Sequence, residues 1–169
     1  MPPHADDIIL PDLLQPGLTL VFCGTAASRR SAAERAYYAH PGNLFWRALF
    51  EAGLTPRRLL PSQFPQLTEL GIGLTDLAKH HSGNDNQLPH DAFDVASLRS
   101  KIEFYQPRVL AFTSKNAARA VLDRAVGYGL QPENIGLTHL VVLPSPSGQA
   151  RGHWDLRHWQ ELAALISRS

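Results

Sequence analysis

Three short apolar runs constrain the fold of this 169-residue chain more than any other feature. They are residues 18–23 (LTLVFC), 108–113 (RVLAFT) and 138–143 (THLVVL). A strand with one wet face alternates apolar and polar residues. A nearly continuous apolar run marks a strand covered on both faces. Segments of helical period lie between these runs. Residues 43–52 begin at Asn43, a capping residue type, and stop at Gly53; residues 91–105 place Val95, Leu98 and Ile102 on one face before Pro107. Residues 114–125 read as another helix. From about Trp154 the chain stacks Trp159, Leu162, Ala163 and Ile166 at i, i+3, i+4, i+7 spacing.

Strands that alternate with helices imply parallel pairing, because parallel strands need long crossovers. The expected architecture is α/β: a three-layer α/β/α domain around a central, mainly parallel four-stranded sheet. The fourth strand falls at residues 71–76 (GIGLTD), where the glycines weaken the signal. One domain is expected over residues 1–169, with residues 1–16 an extended N-terminal segment.

Composition narrows the function classes. No run approaches the roughly 18 apolar residues of a membrane span, and residues 1–12 lack the basic-then-apolar layout of a secretion signal. A chain without membrane contact, acting in the cytoplasm as a monomer, is expected. The single cysteine, Cys23, rules out an internal disulfide and a four-cysteine cluster, and its apolar surroundings read as core. A formal net charge of +1 announces no nucleic-acid binder, so any such surface is local. Basic residues gather at Arg29, Arg30 and Arg35, at Arg57 and Arg58, at Lys79, His80 and His81, and over residues 151–158. Solvated surface and a binding face both account for them.

In open parallel sheets, ligands bind beyond the carboxyl ends of the strands. That rule selects the loops at 24–28 (GTAAS), 76–81, 114–116 and 144–151 (PSPSGQAR). The first lacks the GxGxxG and Walker patterns, so no nucleotide cofactor is expected. In the segment 37–46 (YYAHPGNLFW), Phe45 and Trp46 read as core, whereas Tyr38 and Asn43 suit either a crevice or a rim and cap. In the last loop, prolines stiffen the chain and Gly148 permits an unusual turn, which reads as a rigid protrusion or an ordinary connection.

Together these segments resemble the uracil-DNA glycosylase superfamily, in particular its mismatch-specific and hypoxanthine branches. The anchors are residues 21–24 (VFCG), 39–46 (AHPGNLFW), 73–75 (GLT) and 143–148 (LPSPSG) with Arg151, and they span residue 18 to the C-terminus. The chain departs from the mismatch-specific branch in two places. Ala26 stands where that branch has the Asn that positions the attacking water, and Ser145 stands where the last loop has Asn. The YYAHP segment looks like the hypoxanthine branch, in which the Asn matching Asn43 is considered catalytic.

The resemblance implies a monofunctional glycosylase acting on DNA that carries uracil or another deaminated base, in base excision repair at the nucleoid, with no cofactor and no metal. The target base leaves the stack and enters a pocket. Tyr38 matches the stacking aromatic, and the main-chain N–H groups of Thr25 and Ala26 would donate to a base carbonyl. Asp76 matches the position where relatives read the base edge with Asn or Lys. Its carboxyl would take the N–H of uracil or hypoxanthine with a raised pKa or with a donor such as Lys79 nearby, or it is a solvated cap of the 76–81 loop. Asn43 would orient water. Ser145, Ser147, Gly148, Gln149 and Arg151 would meet DNA, Gln149 and Arg151 as a wedge, with a phosphate contact as Arg151's alternative, and Ser145 or His153 would support phosphate or the leaving base. No lysine is placed for a Schiff base, so no lyase step is expected. A different class, a catalytically weak abasic-site or mismatch-binding module, would explain Ala26 and Ser145 equally well. A small-molecule α/β hydrolase fails for want of a Gly-x-Ser-x-Gly elbow.

Overall fold

A computed structural model describes residues 8–167. The elements follow in the order β1 (Leu20–Ala27), α1 (Arg29–Glu34), α2 (Phe45–Glu51), β2 (Ile72–Ser82), α3 (Val95–Tyr105), β3 (Val109–Phe112), α4 (Lys115–Leu122), β4 (Gly129–Ile135), β5 (Thr138–Val142) and α5 (Leu156–Ser167). Short 3-10 helices occupy Pro61–Leu70, Asp85–Gln87 and Gly148–His153. The sheet order is β2-β1-β3-β5-β4, with all neighbours parallel except the antiparallel β4–β5 pair.

The three apolar runs are the three central strands, and their alternation builds two cores. Leu20 and Phe22 join Val109, Ala111 and Val141 on one face, under Phe45, Trp46 and Leu49 of α2 and Trp159 and Leu162 of α5. Val21 and Cys23 join Leu110, Phe112, Leu140 and Val142 on the other, under Leu98 and Ile102 of α3 and Ala117 and Val121 of α4. Helices on both faces make the expected three layers.

The strand count differs from expectation: the sheet has five strands, not four. β4 (GLQPENI) is hidden because an edge strand with one wet side tolerates polar residues such as Gln131 and Glu133 and the strand-breaking Pro132. β2 also runs further than residues 71–76. Its Gly73 is required by a close crossing, since a Cβ there would lie 2.5 Å from the Leu13 carbonyl oxygen. The N-terminal segment runs antiparallel beside β2. Leu13 exchanges both main-chain hydrogen bonds with Leu74 (2.9 and 3.0 Å), and Ile9 N–H donates to the Lys79 carbonyl at 2.8 Å.

β1 and β3 are neighbours, and the chain leaves β1 toward β2 but leaves β3 toward β4 and β5, in opposite directions along the sheet. Pairing with β3 stops at Cys23, while β1 continues to Ala27 against β2. Residues 24–27, expected as a loop, are therefore strand, and a crevice opens between them and the end of β3.

Aromatic packing fixes one wall of this crevice. Phe45 is the hub, edge-on to Phe22 (5.1 Å) and Trp46 (5.0 Å), and stacked on Tyr38 (3.9 Å). Such pairs each contribute about 0.5–1.5 kcal/mol beyond burial. The buried indole N–H groups tie in the flanking loops: Trp46 Nε1 donates to the Tyr37 carbonyl and Trp159 Nε1 to the Pro144 carbonyl.

Candidate active site

A cavity of about 450 Å³ occupies the crevice. Its lining brings together most of the residues expected from sequence: Thr25, Ala26, Tyr38, Asn43, Asp76, and Ser145, Ser147 and Gln149 of the last loop. Gly148 and Arg151 do not line it.

The floor is built around Gly24. A Cβ at this position would lie 2.8 Å from Asp76 Oδ1, 3.2 Å from Tyr38 Oη and 3.3 Å from Thr113 Oγ1. Glycine is needed because three polar groups crowd its Cα. The strand register delivers them: Gly24 pairs with Asp76 on β2, and Thr113 follows the last residue of β3. Thr113 was not singled out in the sequence, where it merely ends an apolar run.

Tyr38 adopts a left-handed backbone conformation (φ 52°), which costs a non-glycine residue on the order of 1 kcal/mol or more. The flanking contacts that hold it there are the Phe45 stack and a 3.2 Å hydrogen bond between its hydroxyl and Thr113 Oγ1. Burial and the nearby Asp76 carboxyl push the Tyr38 phenol well above its ordinary pKa, so it stays neutral.

Asp76 is buried, with only 6% of its surface exposed. It is therefore no solvated cap. Burial drives its carboxyl up to about 6, against the opposing pull of the Lys79 charge and the Gly24 main-chain N–H. Asp12 adds a further upward push. Lys79 does not approach Asp76 as a direct donor; it pairs with Asp12 at 2.7 Å and donates to the Tyr37 hydroxyl at 3.2 Å. Asp12 is also held by Lys101 and Thr75, each at 2.6 Å, which keeps its own carboxyl low despite burial. Asp76 therefore combines a raised pKa with no direct bond to Lys79.

Asn43 stands just before α2. Its Oδ1 accepts the Phe45 main-chain N–H at 2.9 Å, so the side chain caps the helix from one residue ahead of the N-cap, Leu44. Asn43 also lines the cavity.

The last loop is latched to the His40–Asn43 turn. Leu44 N–H donates to the Pro146 carbonyl at 2.8 Å, and Arg151 Nη2 to the Gly42 carbonyl at 3.3 Å. Gly148 serves close approach here and not an unusual turn: its φ is not positive, and a Cβ would meet the Gly42 carbonyl oxygen at 3.3 Å. Ser145 Oγ accepts from Ser147 N–H, Ser147 Oγ accepts from Gln149 N–H, and the side chains of Gln149 and Arg151 are exposed. His153 is exposed at the end of the same 3-10 helix.

On the opposite rim, residues 83–86 line the cavity, although in sequence they are only part of a polar loop. Asp85 accepts hydrogen bonds from Thr25 Oγ1 and Asn116 Nδ2, both at 2.6 Å. Sequence carried no signal for this clasp, whose members are 60 and 31 residues apart.

The sequence matches the family model of the uracil DNA glycosylase superfamily over residues 11–166. The chain belongs to this superfamily. Its fold is similar to the solution NMR structure of a candidate uracil DNA glycosylase from Methanosarcina acetivorans, with a TM-score of 0.65 and 23% identity over 94% of this chain and 96% of that one. At that identity the likeness is one of fold. Membership in the uracil DNA glycosylase superfamily makes this a DNA glycosylase, a hydrolase whose substrate is DNA. Among the described residues no helix is long and apolar enough to cross a membrane.

Proposed function

We propose that the protein excises uracil, or a deaminated base presenting the same edge such as hypoxanthine, by hydrolysing the N-glycosidic bond in DNA during base excision repair. The observation that carries this reading is the buried Asp76 carboxyl beside Gly24, at the bottom of a cavity with an aromatic wall.

Deaminated bases share a ring N–H next to a carbonyl. A neutral carboxyl matches that pair, with one oxygen accepting the N–H and its O–H donating to the carbonyl. Cytosine and adenine present the reverse order. As the glycosidic bond breaks, negative charge collects on the base, and a donor already aimed at its carbonyl stabilises that charge more than the ground state.

Tyr38, backed by Phe45, offers a flat face to the extruded base, and Thr25 and Ala26 supply main-chain groups at the cavity wall. The Asn43 amide donates to the attacking water. Gln149 and Arg151, on the latched loop, fill the space the base leaves in the duplex.

Purified protein incubated with single- and double-stranded oligonucleotides carrying uracil, hypoxanthine, cytosine or adenine at one site, followed by alkaline cleavage of abasic sites, tests the reading. Cleavage confined to the deaminated bases supports it. No cleavage, with tight binding to abasic duplex, would identify a silent binding module, the outcome that Ala26 leaves open.

A further inference from the structure

The cavity holds two carboxyl groups in contrasting surroundings. Asp76 is buried at its floor, and Asp85 is exposed at its rim, at the start of the 3-10 turn after β2. No histidine, lysine, arginine, cysteine or glutamate is among the lining residues described. Hydrolysis of an N-glycosidic bond needs a donor toward the departing base and an acceptor for the proton of the attacking water. Asp76 fills the first requirement. For the second, the Ala26 methyl has no lone pair, and an amide such as Asn43, its oxygen already holding the Phe45 N–H, does not take a proton.

Asp85 has the geometry for that task. Thr25, at the end of β1, donates to Oδ1, and Asn116, in the first turn of α4, donates to Oδ2. These two bonds fix the carboxylate at the cavity rim, against Thr25, the chain neighbour of Ala26. A carboxylate offers about four lone-pair sites, so each oxygen keeps one for water. Among the described residues, no lysine, arginine or histidine forms an ion pair with it.

We propose that Asp85 is the general base of the reaction, taking the proton of the water that attacks C1′. The assignment rests on the glycosylase reading above. The water oxygen bonds to C1′ as the C1′–N bond breaks, and that bond's electron pair leaves with the base. The water proton passes to Asp85, while Asp76 gives its proton to the base carbonyl. The products are the free base and an abasic sugar with a C1′ hydroxyl; exchange with solvent returns both carboxyl groups to their starting states. Two carboxyl groups in contrasting environments, one buried and one exposed to water, divide acid and base roles on physical grounds.

Single-turnover excision from uracil- and hypoxanthine-containing duplexes tests the assignment. Asp85→Asn and Asp85→Ala should each slow excision about 100-fold or more, the usual scale of a lost proton acceptor, with duplex affinity nearly unchanged. Formate should restore part of the Asp85→Ala rate by supplying a carboxylate, and should not rescue Asp76→Asn. Asn116→Ala removes one arm of the clasp but keeps the carboxylate, so it should cost less than about tenfold. Circular dichroism confirms that each variant is folded. An active parent whose folded Asp85→Asn variant keeps the parental rate overturns the assignment alone. Equal losses in Asn116→Ala and Asp85→Asn without formate rescue also overturn it, making Asp85 a structural clasp. A parent that releases neither base overturns the glycosylase reading, and this assignment with it.

Discussion

The Tyr38 ring lies nearly flat on Phe45, with centroids 3.9 Å apart and planes 19° apart. Phe45 is itself wedged against Phe22, Trp46 and Trp159, so the Tyr38 face is set by the protein core. Tyr38→Phe keeps the stack and loses only the Thr113 contact, and should retain excision within about tenfold. Tyr38→Ala removes the platform, and base–aromatic stacking is worth roughly 1–3 kcal/mol. Single-turnover rates that fall equally in both variants would assign the role to the hydroxyl.

Asp76 makes stability and activity respond to pH in the same direction. Its folded pKa of about 6 lies above the ordinary 3.8, so the folded protein binds the proton more tightly than the unfolded chain. The stabilisation is complete below about pH 4 and is lost as pH rises to about 6, by on the order of 3 kcal/mol in all. Asp76→Asn should flatten this dependence and raise the melting temperature at pH 7. The same variant should lose most excision. In the parent, kcat/KM should fall as pH rises through about 6, because the neutral carboxyl is the working form. A rise over that range would make the ionised form the active one.

Gln149→Ala and Arg151→Ala should impair excision from duplex more than from single strands, since only a duplex has a stacked neighbour to replace. The Arg151 contact to the Gly42 carbonyl also positions the loop, so Arg151→Lys is a useful partner variant. Parallel losses on both substrates would make these residues backbone contacts.

Asn43 has two separable duties. Its oxygen caps α2, a contact worth about 1 kcal/mol that Asp or Ser can replace. Its Nδ2 donor is lost in an Asp carboxylate, and a Ser hydroxyl, on a shorter side chain, does not reach the same point. Asn43→Ala, Asn43→Asp and Asn43→Ser should all slow excision by roughly two to three powers of ten, the scale of one preorganised donor, while only the Ala variant loses stability. If folded Asp and Ser variants excise at the parental rate, Asn43 is a cap alone.

The central strands were legible in sequence because burial on both faces writes itself as continuous apolar runs. β4 was not, since an edge strand shows solvent one side and reads as loop. Gly73 weakened the signal for β2, yet it serves the crossing of Leu13 and not a break in the strand. At the site, Tyr38, Asn43 and Asp76 were visible through spacing and resemblance, and all three line one cavity. Thr113 and Asp85 were not visible, because a threonine ending a strand and an aspartate in a polar loop acquire meaning only when topology sets them against Gly24 and Thr25.

The N-terminal segment beside β2 has a bearing on how the edges of the sheet are shielded. It engages main-chain groups of Leu74 and Lys79 on the outer side of the strand that carries Asp76. At the far side of the sheet, Pro132 and Glu133 make β4 a poor template for another strand. Cutting away residues 8–16 would bare β2 and invite edge-to-edge aggregation, visible as higher-order species in light scattering. The same stretch of chain thus shields a sheet edge while its Asp12 holds Lys79 and Lys101 beside the site.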